Sequence, residues 1–304
     1  MPPDIEPVIL SGATGNEPTT CLIGCGGTGC NIVAEQEVHG HGFSIAISSE
    51  PDIMKSLDSE RIMVDAKGIQ KDATSVKKGT RVAGNETESQ LAGKLKQADA
   101  AFILCGLGGY TGGWGAVLAA RAASIVKCTS ICIVSEPFSV EGGSRKDRAV
   151  EQFRALKENA DMVLVIPNDL ILAEAPDIPI NRAFRVMNTV LALPVNLMLK
   201  NLGKDDIRLL RKELGGSIFA MDNAEWDRDN AVFAVVEELK NSKWLMLGER
   251  EPSGALLFVE GHMLYDDIIE LGKLFSRETG CPKVFIAKAG DRQFGLKVTA
   301  VVGF

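Results

Sequence analysis

A glycine-rich turn occurs twice in this chain, each time directly after an apolar run and directly before a helical stretch. The first is Gly24-Cys25-Gly26-Gly27-Thr28-Gly29, and the second runs from Gly106 through Leu107, Gly108, Gly109, Tyr110, Thr111 and Gly112 to Gly113. A strand that turns through glycines into a helix aims several backbone N–H groups and a helix N-terminus at one point, an arrangement suited to phosphate. It also commits the fold, because strands joined through helices return parallel to one another. Five runs read as buried strands: TTCLIG (19–24), FSIAIS (43–48), AAFILC (100–105), SICIVS (130–135) and DMVLVIP (161–167). Helices are expected between them, over 29–38, 88–97, 115–125 and 145–159. The expected class is α/β, a parallel sheet covered by helices.

The first loop alone matches GxGxxG, and a dinucleotide site of the Rossmann type explains it equally well, with Glu50 as the ribose acid. The second loop separates the two readings. Two cradles suit a triphosphate, and Thr111 adds a hydroxyl to the second loop. The pattern GxxxxGK[ST] is absent and neither loop holds a lysine, which disfavours a P-loop NTPase.

Composition narrows the function classes. A chain of 304 residues, 45% hydrophobic and 24% charged, can bury one large core or two moderate ones. A net charge of −7 offers no attraction to nucleic acid or anionic lipid. The first 18 residues lack a basic region followed by an apolar one and read as a flexible arm of a cytoplasmic protein. Seven cysteines, an odd number without a CxxC pair, read as reduced thiols, and His39 and His41 lack a third ligand, so no metal site is expected.

Downstream, Pro176 and Pro179 bracket a break, and a linking helix with Pro194 inside it is expected over 179–202. Residues 203–304 read as a smaller α+β domain, with helices in DDIRLLRKELG and DRDNAVFAVVEELKNSKWL, strands in GALLFVEG, KVFIAKAG and LKVTAVVGF, and a helix over 266–276. The expected organisation is an arm (1–18), a nucleotide domain (19–178), the linking segment (179–202) and this second domain (203–304).

The succession GCGGTGCN, GLGGYTGG, PFSVEGGSR and IPNDLIL resembles the nucleotide loops of the tubulin/FtsZ family, and SGALLFVEGHMLYDDIIELGKLF with KVFIAKAGDRQFGLKVTAVVGF resembles the C-terminal domain of FtsZ. The resemblance covers residues 19–304. It implies GTP or GDP as ligand, with Mg²⁺ carried by the phosphates. Gly26, Gly27 and Thr28 would meet the diphosphate and Asn31 the base, while Gly108, Gly109, Tyr110, Thr111 and Gly112 would wrap the phosphates. Glu141 and Arg145 match ribose and phosphate contacts, although the pattern alone reads them as a solvated helix start. Asn168 matches the asparagine before the linking helix. Phe184, which periodicity alone assigns to the core, would stack on the purine, and Asn188 would bond its edge. The resemblance further implies a cytoskeletal role with self-association head to tail into filaments, as in cell division, and hydrolysis completed by a loop from the neighbouring subunit.

Three departures qualify it. Thr189 stands where FtsZ has an aspartate after the helix asparagine. Tyr110 and Trp114 replace glycines in the second loop. In the hydrolytic loop, Asn201 and Asp206 match an NxDxxD pattern, but Gly203 occupies the first aspartate position and the segment from Phe184 to Asn201 is shortened. Asp205 is placed either to substitute for the missing acid or to cap the next helix. The expectation is slow, assembly-dependent hydrolysis; a nucleotide-bound regulatory or scaffold protein that neither hydrolyses nor polymerises is the alternative. The sequence stops at Phe304 after an expected strand, so no adaptor-binding tail is expected.

Overall fold

The computed structural model describes residues 5–35, 42–55, 59–75, 83–228, 230–248, 250–292 and 294–304. His39 and His41 lie outside them. Two compact units emerge, one of residues 18–196 and one that joins the N-terminal residues through Glu17 to 197–304. The expected free arm is therefore corrected. Its first element, β1 (Val8–Ile9), pairs in parallel with a late strand of the C-terminal unit. The chain leaves it for β2 (Thr20–Cys25), where the N-terminal unit begins.

That unit continues through α1 (Gly26–Glu35), β3 (Gly42–Ser48), α2 (Pro51–Lys55), β4 (Glu60–Met63), α3 (Gly68–Thr74), α4 (Glu86–Leu95), β5 (Ala100–Gly106), α5 (Tyr110–Val126), β6 (Thr129–Glu136), a 3₁₀ turn (Ser139–Glu141), α6 (Gly143–Asn159), β7 (Met162–Pro167) and α7 (Asp169–Glu174). Every strand pair is parallel, in the order β7-β6-β5-β2-β3-β4. β2, β5, β6 and β7 have almost no solvent-facing residues, which is why their sequence reads as continuous apolar runs rather than alternation. β4, with the sequence ERIM, escapes that reading: it is an edge strand on which only Ile62 is buried.

Among the helices, α4 begins earlier than expected because the Asn85 carboxamide accepts the Glu88 N–H at 2.9 Å. Glu88 is fully buried and pairs with Arg121 of α5 at 2.8 Å, fixing these helices to one another. α5 is buried from Gly112 to Ala123, so it carries no polar face and has Trp114 at its heart.

The long helix α8 (Ile180–Asn201) runs through Pro194, and the boundary between the units falls just beyond that residue. The C-terminal unit then contains α9 (Lys204–Leu214), β8 (Ile218–Trp226), α10 (Ala231–Lys240), β9 (Gly254–Glu260), α11 (Tyr265–Thr279), β10 (Val284–Gly290) and β11 (Leu296–Gly303). Its strands lie in the order β1-β10-β9-β11-β8, with β11 antiparallel to both neighbours. Val235, Leu239, Leu257, Phe275 and Val298 anchor its core. β8 was not foreseen, because Asp222, Asn223 and Glu225 interrupt its apolar pattern. Among the described residues, no helix is long and apolar enough to cross a membrane.

Candidate functional site

The two glycine loops meet. β2 and β5 are neighbours in register, with Cys25 opposite Cys105, so both turns leave the sheet at the same edge. A side chain on Gly26, whose φ is +65°, would place its Cβ 2.9 Å from the Gly112 Cα, and one on Gly106 would lie 2.9 Å from the Thr28 hydroxyl oxygen. At Gly26, with its positive φ and a backbone neighbour, only glycine permits this approach, while at Gly106 the Thr28 hydroxyl would have to move.

The glycines then divide by what they face. A Cβ on Gly29 would fall 2.1 Å from the Leu104 carbonyl oxygen, and one on Gly24 2.6 Å from that of Gly29. These two seat α1 against the sheet. Gly27 has only the Ile53 Cδ1 within range, at 3.8 Å, while Gly109, Gly142 and Gly143 have nothing within 4 Å among the described residues. These glycines border open space, and they come from three different turns.

The second loop is held in place from α6. Gln152, fully buried, accepts the Gly108 N–H at 2.8 Å and donates to the Gly109 carbonyl at 2.8 Å. Arg148, one turn earlier, donates from Nε to the Gly108 carbonyl at 2.7 Å and lies 4.0 Å from the centre of the Tyr110 ring. Gly113 admits Gln152, since a Cβ there would lie 2.1 Å from Oε1. Neither Arg148 nor Gln152 was foreseen from the sequence. The only signal was their i, i+4 spacing on a helix following a glycine turn.

Thr111, expected as a free donor, shares a 2.8 Å hydrogen bond with the Ser49 hydroxyl. Glu141 and Arg145 form an ion pair at 2.9 Å, and Glu141 also accepts the Phe138 N–H at 2.7 Å. This pair shapes the turn as well as facing solvent. The Phe138 ring is buried and meets Phe184 edge to face at 5.0 Å, leaving Phe184 40% exposed on α8. Periodicity had placed Phe184 in the core, whereas the structure presents a ring braced by another and open on one side. Asn188 is half-buried one turn further on, and Asn31 is exposed on α1. Asn168 is buried, and its side-chain oxygen has no hydrogen-bond partner among the described residues. A buried acceptor of this kind is uncommon and calls for a donor.

The thiols under the loops are not nucleophiles. Burial pushes Cys105 up to about 12 and Cys30 up to about 11, and it raises Cys25 well above its ordinary value too. Among the described residues, no group of three or more His, Cys, Asp or Glu could hold a metal ion.

Asn201, Asp205 and Asp206 belong to the C-terminal unit. The Asn201 amide donates to the Leu197 carbonyl at 2.8 Å. Asp205 is not the helix cap: Gly203 holds that position, and Asp206 reaches back to its N–H at 2.9 Å. Asp205 pairs instead with Arg208 at 3.1 Å.

The sequence model of the tubulin/FtsZ family GTPase domain matches residues 19–175. Cell division protein FtsZ 1 of Pyrococcus woesei is 31% identical over 254 residues, covering 79% of this chain and 68% of that protein. FtsZ of Methanothermobacter thermautotrophicus is likewise 31% identical over 254 residues, covering 79% and 66%. Among solved structures, an empty FtsZ dimer from M. jannaschii superposes with a TM-score of 0.78 at 22% identity over 95% of this chain and 88% of that one. CetZ2 from Haloferax volcanii, solved as a GTPγS-bound protofilament, gives 0.70 at 20% identity over 94% and 92%. The parallel sheet, its paired glycine loops and these matches agree: the chain belongs to the tubulin/FtsZ family.

Proposed function

We propose that the N-terminal unit binds GTP or GDP at the joined glycine loops, and that the chain is a cytoskeletal protein of its family that self-associates head to tail. The observation carrying this reading is the division of the glycines. Gly27, Gly109 and Gly143 face open space from three turns, which suits a chain of phosphates lying against bare backbone. In this reading Gly26, Gly27 and Thr28 hold the diphosphate and Gly108 to Gly112 wrap its outer end. Arg145 supplies positive charge, and Glu141 accepts the ribose hydroxyls as well as its present partners. Phe184 presents an open ring face to the purine, with Asn188 and Asn31 for its polar edge. Asn168 offers an acceptor oxygen that is unpaired among the described residues. Mg²⁺ would arrive with the phosphates, neutralising their charge.

Hydrolysis in this reading requires a carboxylate from the loop 201–206 of a second copy, to orient water toward the terminal phosphate. Asp206 is the candidate, with Asp205 and Asn201 beside it. That these side chains already have partners within their own unit favours slow turnover, and it gives the regulatory, non-hydrolysing alternative a specific basis.

Equilibrium dialysis against GTP, GDP and ATP, followed by phosphate release measured across protein concentration, tests both parts. GTP and GDP bound in preference to ATP, with a rate per subunit that rises above a threshold concentration, is the expected result. No nucleotide bound refutes the first part. Nucleotide bound with no phosphate released at any concentration leaves the regulatory reading in place.

A further inference from the structure

The loop 201–206 is covered by the chain's own N-terminal segment. After β1, Leu10 continues the pairing by donating its N–H to the Ile286 carbonyl at 2.8 Å. The next two residues turn onto the loop: Ser11 N–H reaches Asp206 Oδ1 at 3.0 Å and Gly12 N–H reaches Oδ2 at 2.9 Å. With the Gly203 N–H, the Asp206 carboxylate holds three backbone donors and is only 3% exposed. Further along, the Asn16 amide donates to Asp205 Oδ2 at 2.7 Å, and the Asn16 carbonyl accepts the Lys204 N–H at 2.9 Å. A Cβ on Gly203 would sit 2.4 Å from the Gly12 carbonyl oxygen, so an aspartate at that position and the segment in this place exclude one another.

We propose that residues 11–16 form an autoinhibitory strap, which must leave the loop before Asp205 and Asp206 can act on a nucleotide held by another copy. The proposal rests on the reading of loop 201–206 as the hydrolytic loop. A carboxylate whose oxygens already accept three N–H groups has little capacity left for a water, and a backbone segment lying on the loop blocks approach from that side. Gly203 is then no mere loss of a catalytic acid: its missing side chain is the space the strap occupies.

The test compares the full chain with two strap variants. Gly12→Val disfavours the strap conformation, since Gly12 has φ +77° and a β-branched residue resists that region. Asn16→Ala removes only the contact with Asp205 and leaves the backbone pairing intact. Dialysis against GTP and phosphate release at saturating GTP are measured on all three, with thermal melts to verify folding. The expected result is unchanged GTP affinity, with release faster by about tenfold in Gly12→Val and about twofold in Asn16→Ala. Equal or slower release from a folded Asn16→Ala that still binds GTP overturns the strap as an inhibitor and makes it a fixed part of the C-terminal unit. GTP binding absent from the unaltered chain refutes the nucleotide reading itself, which dialysis distinguishes from failure of the strap.

Discussion

Placing alanine at Gly113 tests the account of how α6 shapes the second glycine loop. In an ordinary helix interior, Gly→Ala stabilises by about 1 kcal/mol. Here the added methyl would lie 2.1 Å from Gln152 Oε1 and 2.2 Å from Cδ, so Gln152 has to withdraw. Its withdrawal breaks the hydrogen bonds to Gly108 N–H and Gly109 C=O, the first of them buried. At about 1.5 kcal/mol for each bond, the loss exceeds the helix gain, and Gly113→Ala should destabilise the N-terminal unit by about 2 kcal/mol. In a Gln152→Ala background those bonds are already gone, and the same substitution should become neutral or stabilising by about 1 kcal/mol. The coupling, about 3 kcal/mol, is at the upper end for neighbouring residues. Urea unfolding followed through Trp114, which is buried beside position 113, measures all four proteins. Effects that add to within about 0.5 kcal/mol would refute the reasoning, because Gln152 would then not be what Gly113 makes room for.

Phe184→Ala removes a ring that is 40% exposed and packs edge to face on Phe138. It should weaken GTP binding about tenfold, read by dialysis, and lower stability by about 1 kcal/mol for the lost ring pair, read in urea titration. Glu88→Ala leaves Arg121 buried without its carboxylate and should lower stability by about 3 kcal/mol in urea titration, whereas the exposed pair of Arg208 with Asp205 should contribute under about 1 kcal/mol. The buried thiols make a pH prediction with a definite sign. Their folded values are raised above the ordinary 9.0, to about 12 for Cys105 and about 11 for Cys30 and Cys281, so the unfolded chain releases these protons first. Stability is therefore intact below pH 9 and falls as pH rises from there toward 12, and below pH 9 iodoacetamide should label none of the seven cysteines until urea unfolds the chain. Labelling of Cys25 or Cys105 in the native protein at pH 8 would contradict their burial.

The central parallel sheet was legible because its strands are buried on both faces, and a continuous apolar run needs no register to be recognised. Both glycine loops were legible for the same local reason, a strand, a turn and a helix in immediate succession. The supports of those loops were not. Gln152 and Arg148 look like ordinary surface residues of a charged helix, and only the meeting of α6 with loop 106–113 gives them their task. The N-terminal segment shows the same limit: VILSG is too short to declare itself a strand, and its partner, β10, lies at the other end of the chain. Gly203 was noticed as a departure, but its cause, the Gly12 carbonyl beside it, depends on a contact between residues far apart in sequence.

That distance has a consequence for how the protein is made. Ser11 and Asp206 are separated by 195 residues. At ribosomal rates of about 5–20 residues per second, the opening segment is synthesised roughly 10–40 s before the loop it will cover. The unit of residues 18–196 is contiguous and can close during that interval, whereas the other unit has its first strand already made and most of its body still to come. A large tag fused ahead of Met1 would burden that late docking step and leave the contiguous unit untouched. The order of synthesis thus delivers a chain whose loop 201–206 emerges bare and is covered afterwards.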